Sequence, residues 1–150
     1  MKSFFIIASC HFVITSFLFA QGTADENKRT KDIYSLIDSY SLARERKDTV
    51  LLKSILVPEV DQLVSTGEWR SGIRESVSGM LRSSTGNPGS RKLIVEKVRF
   101  LSSTSGIADA RYEIQNSDGT TRKMWSTFIV VYHEKRWKIS AIRNMLPSGQ

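Results

Sequence analysis

The order of the periodic segments in this chain predicts an α+β fold. Three segments in its first half carry apolar residues at three- and four-residue steps, the spacing of one helical face. Most of its second half consists of segments rich in Val, Ile, Thr, Phe and Tyr, separated by turn sequences. Because helices grouped before strands are typical of α+β proteins, we do not expect a parallel sheet.

Each helix is predicted from its apolar face and from its ends. The first starts at Asp32 and ends in the charged segment 44–48. The second is capped by Asp48 or Thr49 and stopped by Pro58, and the third lies between a turn region at 67–72 and a loop at 84–90. The apolar faces are Ile33, Leu36, Ile37, Tyr40 and Ala43, then Leu51, Leu52, Ile55 and Leu56, then Ile73, Val77, Met80 and Leu81.

Strands are predicted at 60–66, 92–101 and 107–115, and a C-terminal hairpin follows the Asp118-Gly119 turn. With a hairpin turn at 133–136, the numbers of facing residues sum to 269. One sheet face then carries the pairs Tyr132–Trp137, Val130–Ile139, Phe128–Ala141 and Ser126–Arg143. We assign this more apolar face to the core. Arg143 then points inward. A slip of one residue in the register would reverse the assignment.

The opposite face of the hairpin carries a semi-apolar row: Trp125, Thr127, Ile129 and Val131. Helices packed on the other side of the sheet cannot cover this row. A second copy of the chain could bury it around a two-fold axis. We therefore expect a homodimer that forms through the sheet.

Residues 1–20 have the layout of a secretory signal peptide, with Lys2, an apolar run from Phe4 and a small residue, Ala20, at the cleavage position. The alternative is an uncleaved anchor, but the run is short and interrupted for a span of roughly 20 apolar residues. We expect an exported protein, periplasmic or extracellular, with no stable membrane span after cleavage. Residues 21–31 are predicted to form a flexible leader, and residues 32–146 the domain.

Composition narrows the kinds of site that the mature domain could hold. Cleavage would remove the single cysteine, Cys10, together with His11, so that His133 in the predicted turn is the remaining histidine. We therefore expect no disulfide, no metal site rich in His or Cys, no Ser-His-Asp triad and no cofactor. The formal net charge of +7 becomes +6 without Lys2, but the basic residues are scattered and follow no nucleic-acid-binding motif, so no nucleic acid partner is expected.

Three features carry a resemblance to a known family: the helix at 33–47 ending in Lys47-Asp48, the segment 67–72 leading into a helix, and the closing strand Trp137-Lys138-Ile139. Over roughly residues 32–146 the chain resembles the nuclear transport factor 2-like superfamily, in its SnoaL-like, SgcJ/EcaC-type branch. The resemblance implies a cone-shaped, curved antiparallel sheet wrapped around three N-terminal helices, with an apolar pocket and pairing through the sheets. The superfamily includes isomerases, dehydratases, cyclases and non-catalytic proteins, so the fold does not determine the function.

Candidate catalytic residues follow from that resemblance. Isomerase-like members carry a general-base carboxylate in the strand before the Gly-rich turn. Here 62–67 contains no carboxylate, Asp61 precedes the segment and Glu68 follows it. Asp61 is the candidate base, its alternative being an exposed residue at the start of a strand. Arg143 is the candidate for binding an anionic ligand or stabilising an oxyanion, its alternative being an ion pair with Asp61, Glu68 or Glu96.

Candidate pocket residues are the aromatic side chains that could contact a planar apolar ligand, with ordinary core packing as their alternative. They are Trp69, Tyr40, Tyr112 and Phe128, together with Ser126 beside Arg143. The sequence therefore predicts an exported domain that binds a small apolar or anionic molecule or acts as an accessory module. A metal-free acid–base enzyme of isomerase, cyclase or dehydratase type and a dimeric interaction module without a ligand are the alternatives.

Overall fold

The computed structural model describes the backbone of residues 11–86 and 89–147, and the side chains from residue 24 onward. Residues 1–10 of the predicted signal peptide and Asn87-Pro88 of the predicted loop lie outside these ranges. The chain divides into two compact units, residues 1–32 and residues 33–150, and helix α1 (His11–Glu45) contributes to both. No helix among the described residues is long and apolar enough to cross a membrane.

The segment predicted to be a flexible leader, residues 21–31, is helical and belongs to α1. Two ion pairs at the four-residue helical spacing lie in this part of the chain. Arg29 Nε is 3.0 Å from Asp25 Oδ2, and Lys28 Nζ is 2.8 Å from Asp32 Oδ2. Each such pair stabilises a helix by about 0.2–0.5 kcal/mol, which favours the helical state of an otherwise polar segment.

The second unit contains the remainder of α1, two further helices and six strands, so the predicted α+β class with three helices is confirmed. The elements after α1 are α2 (Thr49–Ile55), β1 (Leu56–Leu63), β2 (Trp69–Ser71), α3 (Gly72–Gly86), β3 (Gly89–Ser102), β4 (Ser105–Asn116), β5 (Thr121–His133) and β6 (Arg136–Met145). The strands form one curved, unclosed sheet in the order β2-β1-β6-β5-β4-β3. Segment 67–72, predicted as a turn region, contains the short strand β2, which pairs antiparallel with β1.

The sheet is mixed rather than wholly antiparallel, because β1 runs parallel to β6. Strands β3 to β6 follow one another through short turns, which enforce antiparallel pairing. The chain instead passes from the β1–β2 pair through α3 to the far edge of the sheet, and returns to β1 only as β6. A long crossover of this kind permits parallel pairing, so the expectation of an antiparallel sheet was wrong at this one junction.

The predicted face of the first helix packs against the sheet. Ile33, Ile37 and Tyr40 of α1 are buried together with Phe128 and Val130 of β5. The ring centroids of Tyr40 and Phe128 lie 5.3 Å apart in an edge-to-face arrangement, a favoured geometry for aromatic pairs. The apolar interior therefore lies between α1 and the middle of β5.

Helix α1 ends in a Schellman turn and α2 begins at once. Lys47 adopts a left-handed conformation (φ 56°), and the N–H of Asp48 donates to the carbonyl of Ala43 at 2.8 Å. The Asp48 carboxylate then accepts hydrogen bonds from the N–H groups of Val50 and Leu51, so that it is the N-cap of α2, as predicted. This junction determines where the last residues of α1 lie.

The C-terminal hairpin follows the predicted register only near its turn. Glu134 and Lys135 both have positive φ, as a two-residue type I′ turn requires, and Tyr132 pairs with Trp137 and Val130 with Ile139. A bulge at Ser140 then shifts the pairing by one residue, and the predicted partners of Ala141 and Arg143 were wrong. The structure pairs Phe128 with Ile142, Ile129 with Ala141, Thr127 with Arg143 and Ser126 with Asn144.

The bulge allows two isoleucines of β6 to be buried on the same face of the sheet. Ile139 and Ile142 are three residues apart, so an unbroken strand would place them on opposite faces of the sheet. The extra residue at Ser140 turns both toward the interior, where each is fully buried. It also moves Arg143 out of the row of core residues, so the prediction that Arg143 points inward was wrong.

Candidate functional site

A cavity of about 210 Å³ lies in the second unit, where the inner sheet face meets the ends of α1 and α3. Strands β1, β4, β5 and β6 contribute to its wall, as does the turn between β1 and β2. The apolar side chains are those of Val64, Tyr112, Ile114 and Met124, and the charged ones are those of Arg44, Glu68, Arg70 and Arg122. The lining is thus more polar than the apolar pocket that the resemblance implies.

Arg44 is a buried arginine of the cavity wall, with 5 % of its surface exposed. Its Nη1 donates to the Tyr40 hydroxyl at 3.3 Å and its Nη2 to the Ser83 hydroxyl at 3.4 Å. Its Cζ lies 5.7 Å from the ring centroid of Tyr40 and 5.8 Å from that of Tyr112, within the range of cation–π contacts. All of these contacts are to neutral groups, and Nε has no hydrogen-bond partner among the described residues.

The charge of Arg44 persists at neutral pH. Burial lowers the pKa of its guanidinium, but the coulombic effect of Tyr40 and Tyr112 in their ionised forms and the hydrogen bond to Tyr40 raise it, and the net direction is upward. Burial also raises the pKa of the Tyr40 hydroxyl above its ordinary value, so Tyr40 remains a neutral phenol and does not supply a counter-charge. The cavity wall therefore contains a protonated guanidinium without an ion-pair partner among the described residues.

Arg70 is also buried, but its charge is compensated. Its Nε and Nη2 donate to the two carboxylate oxygens of Glu68 at 2.9 and 3.0 Å, and its Nη1 donates to Gln62 Oε1 at 3.2 Å. The hydrogen bond from Arg70, aided by the charges of Arg70 and Arg82, lowers the pKa of Glu68. Glu68 is the carboxylate on the cavity wall, and it is ionised and paired.

The Arg70 side chain reaches this position across Gly79 of α3. A Cβ on Gly79 would lie 2.3 Å from Arg70 Nε and 2.5 Å from Arg70 Cδ, closer than heavy atoms can approach. The bare backbone at residue 79 therefore leaves the space through which Arg70 contacts Gln62 and Glu68.

Two further polar groups of the cavity stand near its apolar side chains. Arg122 is half-buried and donates through Nη2 to the Ser65 hydroxyl at 2.9 Å. The buried Tyr112 hydroxyl has no hydrogen-bond partner among the described residues. A buried hydroxyl without a partner costs free energy.

The predicted catalytic residue, Asp61, lies outside the cavity. Its carboxylate accepts three hydrogen bonds from Arg143 at 2.9–3.1 Å, and the Arg143 guanidinium stacks on the Trp69 ring, with Cζ 4.8 Å from the ring centroid. Trp69 is 56 % exposed, and both charged side chains are about one-third exposed. Of the alternatives considered for Arg143, the structure has the ion pair with Asp61, on the outer face of the sheet.

Of the other predicted ligand-binding residues, only Tyr112 lines the cavity. Tyr40 and Phe128 pack against each other in the core, although the Tyr40 hydroxyl holds Arg44 in place. Ser126 is buried and donates to Asn144 Oδ1 at 2.7 Å. The structure therefore separates these residues into core, outer face and cavity.

Arg44 itself was missed because it falls in the charged segment at the end of the first helix. Its position nevertheless follows the apolar face, since it lies four residues after Tyr40 and seven after Ile37. A charged residue at the next step of an otherwise buried helical face was the signal that could have identified it.

Among the described residues, no cluster of three His, Cys, Asp or Glu side chains could hold a metal ion. The cavity instead combines a buried cation, a hydroxyl donor and apolar contact surface. This combination suits a small molecule with an anionic group and an apolar body.

Comparison with known proteins identifies the fold and nothing finer. No family model and no curated protein matches the sequence. Among solved structures, a candidate scytalone dehydratase from Novosphingobium aromaticivorans matches with a TM-score of 0.72 at 13% identity, covering 85% of this chain and 98% of that one. An uncharacterised protein with a cystatin-like fold from Caulobacter vibrioides matches with a TM-score of 0.70 at 17% identity, covering 80% and 90%.

A nuclear transport factor 2-like protein of unknown function from Shewanella oneidensis has a TM-score of 0.66 at 19% identity, covering 78% of this chain and 98% of its own. The chain therefore has the nuclear transport factor 2-like fold. At 13–19% identity, the structural similarity shows the fold, but it shows neither the SnoaL-like branch nor an activity.

Proposed function

Because the chain has the nuclear transport factor 2-like fold, we propose that its second unit binds a small anionic organic molecule in the cavity described above, with Arg44 as the main anchor. The anionic group accepts hydrogen bonds from the Arg44 guanidinium. The body of the molecule contacts Ile114, Met124 and Val64.

The observation that carries this proposal is the uncompensated charge of Arg44. Removing a cation from water costs several kcal/mol, and neutral hydroxyls and ring faces return only part of that cost. A fold seldom retains such a residue unless an anion completes the site. Arg70 differs from Arg44 in this respect. It is also buried, but its guanidinium donates two hydrogen bonds to the carboxylate of Glu68.

Binding is better supported than acid–base catalysis. A general base must have a free lone pair near the substrate and a pKa near the working pH. Glu68, the carboxylate on the cavity wall, is held by Arg70 with a lowered pKa, and Asp61 is held by Arg143 on the outer face. Glu68 is therefore an engaged carboxylate whose pKa moves away from neutrality, and Asp61 lies outside the cavity, where it cannot reach a bound substrate.

The test compares Arg44→Met with Arg74→Met, an exposed arginine on α3 that serves as the matched control for loss of one positive charge. Binding of hexanoate and 4-methylbenzoate is measured by titration calorimetry, and thermal melts are recorded without ligand. Arg44→Met should weaken binding by at least about tenfold, since hydrogen bonds to charged groups contribute about 1.5–3 kcal/mol. Arg74→Met should leave the affinity unchanged.

Without a ligand, Arg44→Met should melt at the same temperature as the unmodified protein or higher, because a buried charge has been replaced by an apolar side chain of similar length. The proposal is contradicted if Arg44→Met unfolds at a markedly lower temperature while the carboxylates bind with unchanged affinity. That result would make Arg44 a structural residue.

A further inference from the structure

Two of the arginines that line the cavity have no carboxylate partner among the described residues. Arg70 uses both oxygens of Glu68, which leaves Arg44 and Arg122 with hydroxyl acceptors only. The cavity wall therefore has two positive charges that no carboxylate among the described residues neutralises. A single carboxylate on a ligand would match one of them.

The two cations belong to different elements and lie beside different inward rows of the sheet. Arg44 projects from α1 over the ring of Tyr112, which pairs with Met124 across β4 and β5. Arg122 lies in the next inward row, where it pairs with Ile114. Adjacent inward rows are two residues apart along a strand, or about 7 Å, and the apolar side chains of both rows line the cavity.

We propose that the ligand of this cavity is a dianion with an anionic group at each end, in its simplest form a dicarboxylate, bound by Arg44 at one end and Arg122 at the other. This inference rests on the proposed binding function. The apolar side chains of Met124 and Ile114, one in each of these rows, would contact the carbon skeleton that joins the two groups. Inorganic phosphate has no carbon skeleton and cannot make these apolar contacts, so the lining suits a dicarboxylate better.

The experiment uses three pairs of probes that differ in one charge: succinate and butyrate, adipate and hexanoate, terephthalate and 4-methylbenzoate. Each probe, together with inorganic phosphate, is titrated at fixed ionic strength into the unmodified protein, Arg122→Met, Arg44→Met and Lys123→Met. Lys123 precedes Met124 on the same strand and is exposed, so Lys123→Met removes one charge without changing the cavity.

At least one dicarboxylate should bind the unmodified protein about tenfold or more tightly than its monocarboxylate partner. In Arg122→Met this advantage should fall to about twofold or less while the monocarboxylate affinity is retained. Lys123→Met should keep the advantage. Arg44→Met should weaken both members of the pair.

The inference is overturned, with the binding function intact, if each monocarboxylate binds as tightly as its dicarboxylate. It is equally overturned if the advantage survives in Arg122→Met, or if phosphate binds more tightly than every dicarboxylate. If neither member of any pair binds the unmodified protein, both the inference and the proposed function fail.

Discussion

Arg44 and Arg143 differ in how the protein compensates their charge. Arg143 has a carboxylate partner, Asp61, and a ring to stack on, Trp69, but it remains in contact with solvent. Arg44 is almost fully buried and contacts neutral groups. The same side chain therefore belongs to a surface ion pair in one place and is a buried cation without a carboxylate partner among the described residues in the other.

The solvent exposure of Arg143 predicts a small effect on stability. In the monomer, Arg143→Met should lower the free energy of unfolding by about 1 kcal/mol, the sum expected from a screened ion pair and an exposed cation–π contact. Urea denaturation measures the change, and added salt should reduce it. A double-mutant cycle with Asp61→Asn should give a coupling energy below about 1 kcal/mol. A loss of several kcal/mol would mean that the pair behaves as a buried one.

The sequence predicted that one inward arginine would need an anion, but it identified the wrong residue. Arg143 was assigned inward from strand alternation, which a single extra residue, Ser140, reverses. Arg44 was predictable from helical spacing, because α1 keeps a regular α-helical period from Ile33 to Arg44. The absence of a carboxylate opposite Arg44 depends on the packing of α3 and β4, which no local pattern contains.

At the scale of elements, the packing of α3 against β2 depends on one missing side chain. Gly79 lies where the Arg70 side chain crosses the helix, and Arg70 in turn holds Gln62 and Glu68. The backbone of α3 and the guanidinium of Arg70 thus occupy adjoining space. Any side chain at residue 79 competes with Arg70 for it.

Gly79→Ala should therefore destabilise the protein, although the same change in an exposed helix would stabilise it by about 1 kcal/mol. Displacing Arg70 separates it from Glu68 and Gln62, and we expect a net loss of about 1–3 kcal/mol in the free energy of unfolding. In an Arg70→Ala background, Gly79→Ala should be neutral or stabilising. Urea denaturation of the four proteins measures this, and an equal effect of Gly79→Ala in both backgrounds would contradict the steric explanation.

The elements themselves were largely predictable, and their pairing was predictable only in part. The apolar face from Ile33 to Ala43 is buried as the spacing predicts, because amphipathic helices bury their apolar stripe in almost any tertiary context. The type I′ turn at Glu134-Lys135 fixed the register of the adjacent pairs. The parallel pairing of β1 with β6 joins residues about 80 positions apart, such as Asp61 and Ala141, and no local sequence pattern specifies it.

At the scale of the whole molecule, the outer sheet face concentrates exposed aromatic and apolar groups. Trp125 and Met145 pair directly across β5 and β6, and each is about half exposed. The Trp69 ring stacks on the guanidinium of Arg143, and Arg143 pairs with Thr127 of β5 on the same face. Apolar groups that lie together on a surface in this way often mark an interface.

We predict that this face pairs with the same face of a second copy, as a two-fold dimer. The outer face is self-complementary in charge, since it holds both Asp61 and Arg143, so its apolar groups can meet across a two-fold axis without placing like charges together. At micromolar concentrations the protein should sediment with twice the mass of one chain. Trp125→Glu should shift it to the monomer, because the new charges would be buried against each other.

Ser117→Glu, in the exposed turn between β4 and β5, is the matched control and should remain dimeric. Trp125→Glu should retain its circular dichroism spectrum, since Trp125 is 40% exposed and contributes little to the core. A single monomeric species for the unmodified protein would contradict the dimer. A dimer that persists in Trp125→Glu would place the interface elsewhere, because two glutamates facing each other across a two-fold axis repel and lose hydration.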